Sequence, residues 1–253
     1  MRSWIAAAAP LLLVSIASAE VRGEGLDRDT LLTDAPATPD KGTVRVSGYT
    51  AGQGATAAGA DATGSVTGSI SWTPFAHVSG DVGIFYQGGP AGGSGPSARV
   101  RYQFLSQDAV GVDMSAGVRF KTVSFSHPTR TGELEFLLAA GRRLGRFDLA
   151  LNGVFGTETG GGSGKDVEVR GFAGYRLTEA LRAGIDSRMQ AEVGDTAPAA
   201  TPKVGRDFDL TVGPAVSWLV LRTLQLQALV GAGAPKGSTR TVPVGLLAAA
   251  MDF

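Results

Sequence analysis

The chain has no cysteine and only two histidines. The first absence excludes disulfides, thiolate catalysis and cysteine-ligated metals, and it removes the residue that lipoprotein processing requires. The second leaves few near-neutral bases for acid–base chemistry. Net charge is also missing. The 23 basic residues balance 23 acidic ones, so no basic surplus suggests nucleic acid as a partner. Beyond residue 20 no apolar run is long enough for a spanning helix, which takes about 20 residues. Glycine, in contrast, is abundant, at 37 of 253 residues.

The front end carries an export signal. Arg2 is followed by an apolar stretch from Trp4 to Ile16 and then by Ala17-Ser18-Ala19. A basic residue, a short apolar core and an A-x-A site make a secretory signal peptide over residues 1–19, with cleavage expected after Ala19. Residues 20–41 hold Glu20, Glu24, Asp27, Asp29, Asp34 and Asp40 against Arg22, Arg28 and Lys41. This stretch is expected to be an acidic, flexible leader in the periplasm, suited to docking a partner.

From Gly42 to Phe253 the period becomes two. The run Val110, Val112, Met114, Ala116 and Val118, interleaved with polar or small residues, is the clearest case. Similar alternation recurs in Val66–Trp72, Val78–Tyr86, Ala98–Phe104, Leu134–Ala140, Phe147–Phe155, Val167–Tyr175, Ala183–Met189, Phe208–Trp218 and Leu224–Val230. With a first strand near Val44 and a last ending at Phe253, twelve strands are expected. Short turns at Thr73-Pro74, Ser106–Asp108, Arg142–Gly145, Leu177–Glu179 and Leu221–Thr223 alternate with longer links. That sorting marks a membrane barrel with its short turns in the periplasm. An open sheet edge is not viable in lipid, because each unpaired backbone group there costs several kcal/mol. The expected fold is therefore all-β: a closed, antiparallel, up-and-down transmembrane β-barrel. Trp72, Tyr86, Tyr102, Phe104, Phe120, Phe147, Phe155, Tyr175 and Trp218 gather toward strand ends, as interfacial girdles do.

The final strand, with Gly245, Leu247, Ala249, Met251 and Phe253 on one face, resembles the C-terminal strand of Gram-negative outer-membrane β-barrels. There a terminal aromatic residue with apolar partners two, four and six places earlier marks the chain for insertion. The resemblance implies Phe253 and Met251 as an insertion signal read by the barrel-assembly machinery. It also implies integral residence in outer-membrane lipid.

The opposite parity gives the lumen. Arg99, Arg101, Arg119, Arg170, Arg182 and Arg188 are assigned there, with Asp113, Glu133, Glu135, Asp148, Glu168 and Asp186. Interleaved signs suggest cross-strand pairs that crowd the interior, and they argue against strong ion selectivity, which uses rings of one sign. No loop is long enough to fold inside as a plug. Catalysis finds little support. His127 lies near Ser124 and Ser126 without a carboxylate to orient it, and a Ser/His site needs all three in mutual reach. The pairs Glu133/Glu135 and Asp207/Asp209 are better lumen lining than glycosidase or calcium sites. Gly160–Lys165 lacks the phosphate-loop pattern. No enzyme, metal or cofactor is expected. Three roles remain, in order. The first is a structural anchor for an adhesion, secretion or gliding-motility assembly with periplasmic or outer-membrane protein partners. The second is a narrow passive channel, and the third a surface enzyme.

Overall fold

The computed structural model describes residues 29–55, 62–89, 92–127, 132–159, 164–193 and 205–253. The expected signal peptide and residues 20–28 of the leader lie outside these ranges.

Twelve antiparallel strands close into one barrel in simple neighbour order. They are β1 Val44–Gln53, β2 Thr63–Phe75, β3 Val78–Gln87, β4 Gly93–Leu105, β5 Asp113–Lys121 and β6 Glu133–Leu144. Then follow β7 Phe147–Glu158, β8 Lys165–Arg176, β9 Leu181–Glu192, β10 Phe208–Leu219, β11 Leu224–Ala234 and β12 Val242–Asp252. With 9 to 13 residues each, all are long enough for the roughly 9–11 tilted residues that cross a bilayer. The seam pairs Arg45 with Asp252 and Gln53 with Val244 at its two ends. Phe253 extends it, donating its N–H to the Val44 carbonyl (2.8 Å) and accepting the Val44 N–H (3.2 Å). The last residue of the chain is thus part of the closure.

Exposure alternates along the strands. Val82, Ile84, Val100, Leu151, Val230 and Leu247 are among the large apolar side chains on the outer face. Trp72, Tyr102, Phe147, Tyr175 and Trp218 ring the short-turn end, and Tyr86, Phe120 and Phe155 ring the other. The rings of Phe147 and Tyr175, paired across β7 and β8, meet edge to face at 5.0 Å.

Two details differ from the expectation. Val110 and Val112 are not in a strand: residues Gln107–Val110 form one helical turn, α1, and β5 begins at Asp113. Gly111, at φ 81, ends that turn in a left-handed conformation open to glycine. Asp113 supports it by accepting the Gln107 N–H (2.8 Å) and a Gln103 amide hydrogen (3.0 Å). Apolar alternation alone does not distinguish Val110 in a tight turn from Val110 in a strand. Likewise β2 runs through Thr73-Pro74 to Phe75, so the β2–β3 turn falls at Ala76-His77.

The larger correction concerns the leader. Its described part, residues 29–41, does not hang in the periplasm. It lies inside the barrel: from Asp29 it passes through a turn at residues 30–33 and heads toward the short-turn end, its side chains and backbone bonded to β4, β7, β8, β9 and β11. No loop was long enough to plug the lumen, but the N-terminal segment is. Charge and prolines suit it poorly to folding alone. The barrel wall supplies the partners it lacks.

Candidate functional site: a lumen closed from within

The twelve charged side chains assigned to the lumen lie on the inward parity of their strands, and none is exposed. The structure sorts them into groups. Toward the long-loop end, Lys121 binds both Glu133 (3.1 Å) and Glu135 (2.6 Å), and Arg119 reaches Glu135 at 3.0 Å. Glu168 takes Arg188 (2.7 Å) and Arg170. Toward the short-turn end, Asp148 meets Arg176 (2.8 Å), Arg143 (3.3 Å) and Arg182 (3.4 Å). The Arg182 guanidinium also stacks 4.7 Å above the Phe172 ring. That ring lies where a Cβ at Gly174 or Gly184 would collide with it, so those two glycines make room for Phe172 against the wall.

Between the two groups sits the segment. Asp34 is the hub, its carboxylate bonded to Arg99 and, at 2.7 Å, to Arg170. Its backbone is held too, since Asp34 N–H donates to Asn152 Oδ1 (2.7 Å) and Asn152 Nδ2 donates to the Asp34 carbonyl (2.9 Å). Burial would raise the Asp34 carboxyl, but the Arg99 and Arg170 guanidiniums, helped by Arg119 and Arg101, hold it well below the usual carboxylate range. One turn away, Asp186 accepts the Leu32 N–H (2.9 Å) and the Thr33 hydroxyl (2.7 Å). Arg101 donates to the Ala35 carbonyl (2.8 Å) and pairs with Asp29 (3.3 Å). Gln103 accepts the Thr38 N–H (2.9 Å), and Gln227 donates to the Asp29 carbonyl (2.6 Å). Pro36 fits where a Cβ on Gly141 would come within 2.8 Å of its ring.

The lumen wall is not uniformly charged. On β10, β11 and β12 its inner face carries an apolar arc beside the polar Ser217, Gln225 and Gln227, and Leu32 completes a buried cluster there with Ala215, Leu229, Val244 and Leu246, flanked by Leu31, Tyr49 and Ala51. Fully burying one leucine stabilises by about 1.5–3 kcal/mol. The segment therefore faces two kinds of surface, meeting the apolar arc with Leu32 and the cationic arc with Asp34.

On either side of the segment the lumen stays open. A cavity of about 290 Å³ lies toward the short turns, and one of about 720 Å³ lies toward the long loops. The larger is lined by Arg99, Arg119, Lys121, Arg170 and Arg188 against Asp81, Glu133 and Glu158.

Sequence reasoning missed Asp34, Leu32, Asn152, Gln103 and Gln227 as lumen residues. One signal was present: β12 is apolar on both faces, with Val244 and Leu246 inward and Leu247 outward. A strand with lipid on one side and water on the other would not be. Elsewhere, His127 Nδ1 lies 3.0 Å from Ser126 Oγ on an exposed loop, and Ser126 Oγ accepts the Ser94 N–H (2.9 Å). Met251 pairs with Val46 across the seam beside Phe253.

No family model and no curated protein sequence matches the chain. Solved structures do. The chain is similar to a KdgM porin (11% identity, TM-score 0.57, 83% of this chain and 99% of that one). It is also similar to a NanC porin (6% identity, TM-score 0.59, 83% and 100%). A third similar structure is an outer-membrane channel from Pseudomonas putida F1 (12% identity, TM-score 0.60, 86% and 97%). Closure, strand number, girdles and these likenesses agree: the chain has the fold of a twelve-stranded outer-membrane β-barrel.

Proposed function

We propose that the protein is a non-enzymatic passive channel for small anionic solutes, closed at rest by residues 29–41. One observation carries this reading. Two open cavities lie end to end in one barrel, and residues 30–38 run between them, bonded to wall side chains such as Asn152, Arg101 and Arg170. A barrel built only as a scaffold would have its lumen filled by strand residues, as small barrels do. The net cationic lining of the wider cavity favours anions over cations at its mouth.

Planar-bilayer recording tests the proposal. The full mature chain should be silent or flicker briefly, and a variant lacking residues 29–41 should show a steady conductance that favours anions. If the deleted barrel migrates as folded on gels yet stays silent, the channel reading is overturned. An anchoring subunit of an adhesion, secretion or motility assembly is the second reading, supported by the closed state of the lumen. It gains from that same silent outcome.

A further inference from the structure

The segment is held the way a ligand is held. From Thr30 to Thr38 its bonds to the barrel run to wall side chains, namely Asp186, Asn152, Arg99, Arg170, Arg101 and Gln103. Among the described residues no backbone ladder ties it to a strand; its backbone–backbone bonds there are internal, as from the Thr30 N–H to the Thr33 carbonyl (2.8 Å). Arg101, which is buried, makes its polar contacts among the described residues with the segment alone, at Asp29 and Ala35. The wall is thus complete as a sheet without the segment, but chemically unsatisfied without it.

What the wall is satisfied by is specific. Leu32 sits on the apolar arc of Leu229, Val244 and Leu246. Two residues on, Asp34 places one carboxylate between Arg99 and Arg170. The tip at Leu31 and Leu32 borders the 720 Å³ cavity, so a solute arriving from the long-loop side meets this site first.

From this juxtaposition we infer that the lumen holds a binding site for a hydrophobic monocarboxylate, occupied here by Leu32 and Asp34, and that such a solute displaces the segment on entering. The inference rests on the channel reading and names its solute class. A purely hydrophilic anion would satisfy the arginines but leave the apolar arc wet. A neutral apolar molecule would do the reverse and leave Arg99 and Arg170 with only their wall carboxylates, Asp81 and Glu168, where the segment supplies a shared third.

The test is amide hydrogen exchange across residues 29–40 in the full chain, held in lipid nanodiscs. The probes are 4-phenylbutyrate, gluconate and 4-phenylbutanol at equal free concentration. The carboxylate with the phenyl group should speed exchange at Leu32 and Asp34 by about tenfold or more, a shift that requires that much differential affinity for the vacated site. The other two probes should leave exchange unchanged. In Leu32→Ala, which weakens the segment on its apolar side only, the phenylbutyrate midpoint should fall several-fold. Unchanged exchange with phenylbutyrate overturns the proposal, as does an equal response to gluconate or to the alcohol. The two readings fail separately: a protein silent in bilayers after deletion of the segment can still show this exchange response, and a conducting one can lack it.

Discussion

Asp34 shows how one carboxylate can govern a lumen. It is buried, and each arginine it binds keeps a wall carboxylate as well, Asp81 for Arg99 and Glu168 for Arg170. Removing one partner of a buried ion pair costs about 3–5 kcal/mol when the other is left uncompensated. With Asp81 and Glu168 in place, Asp34→Asn should cost the low end of that range or less. The sign of its pH dependence follows from the docked carboxyl lying below its ordinary value of about 3.9. A group with a depressed docked pKa contributes fully above the free value and loses that contribution as pH falls toward the docked one. Amide exchange of residues 29–40 should therefore stay flat from neutral pH down to about pH 5, after correction for intrinsic rates, and rise only below about pH 4. Asp186 and Asp29 also place carboxylates against the segment's backbone, so Asp34→Asn is the comparison. It should loosen the segment at every pH and shrink the acid step. A wild-type step between pH 7 and 5 would mean that some other group is the latch.

At the scale of the strand, parity decides what a substitution does. On β2, Ile70 faces out and is half exposed, while Thr67 lines the wide cavity. An arginine near the midplane of the lipid face costs roughly 2–4 kcal/mol. Ile70→Arg should accordingly lower the urea midpoint of the folded barrel in lipid, and Thr67→Arg should leave it nearly unchanged. Equal losses would place both side chains in the same environment, against the alternation of exposure along β2. The seam makes a second prediction. Deleting Phe253 removes both backbone bonds to Val44, at the end where Arg45 and Asp252 join β1 to β12 at 2.7 Å. The folded fraction on heat-modifiability gels should drop sharply. A similar deletion within the 122–132 loop should do little, and equal effects would remove the special role of the terminus.

Across the whole molecule, what could be read in advance was what repeats. Alternation in β3, β4, β7 and β8, the two kinds of connection and the aromatic ends follow from local pattern and bilayer thickness, so twelve strands and their inward charges are legible without coordinates. The turn at 107–112 is not, because Val110 and Val112 satisfy the strand period while Gly111 and Asp113 build a helical turn. The site was hidden for a different reason. Asp34 looks like one of several solvated acids until Arg99 and Arg170, far along the chain, are known to converge on it. Leu31 and Leu32 look like a brief apolar accident until the inner face of β12 is seen to need them.

That last contact bears on how the barrel closes. The arc that receives Leu32 is built from β10, β11 and β12, with Tyr49 and Ala51 of β1 at its edge, and the pairing of β1 with β12 is what closes the barrel. Until they join, the apolar inner side of β12 has water before it and Leu32 has half a socket. The segment directly precedes β1 in the chain. Closing the cylinder and filling it are therefore coupled, since Leu32 gains its full socket only once β1 and β12 are paired.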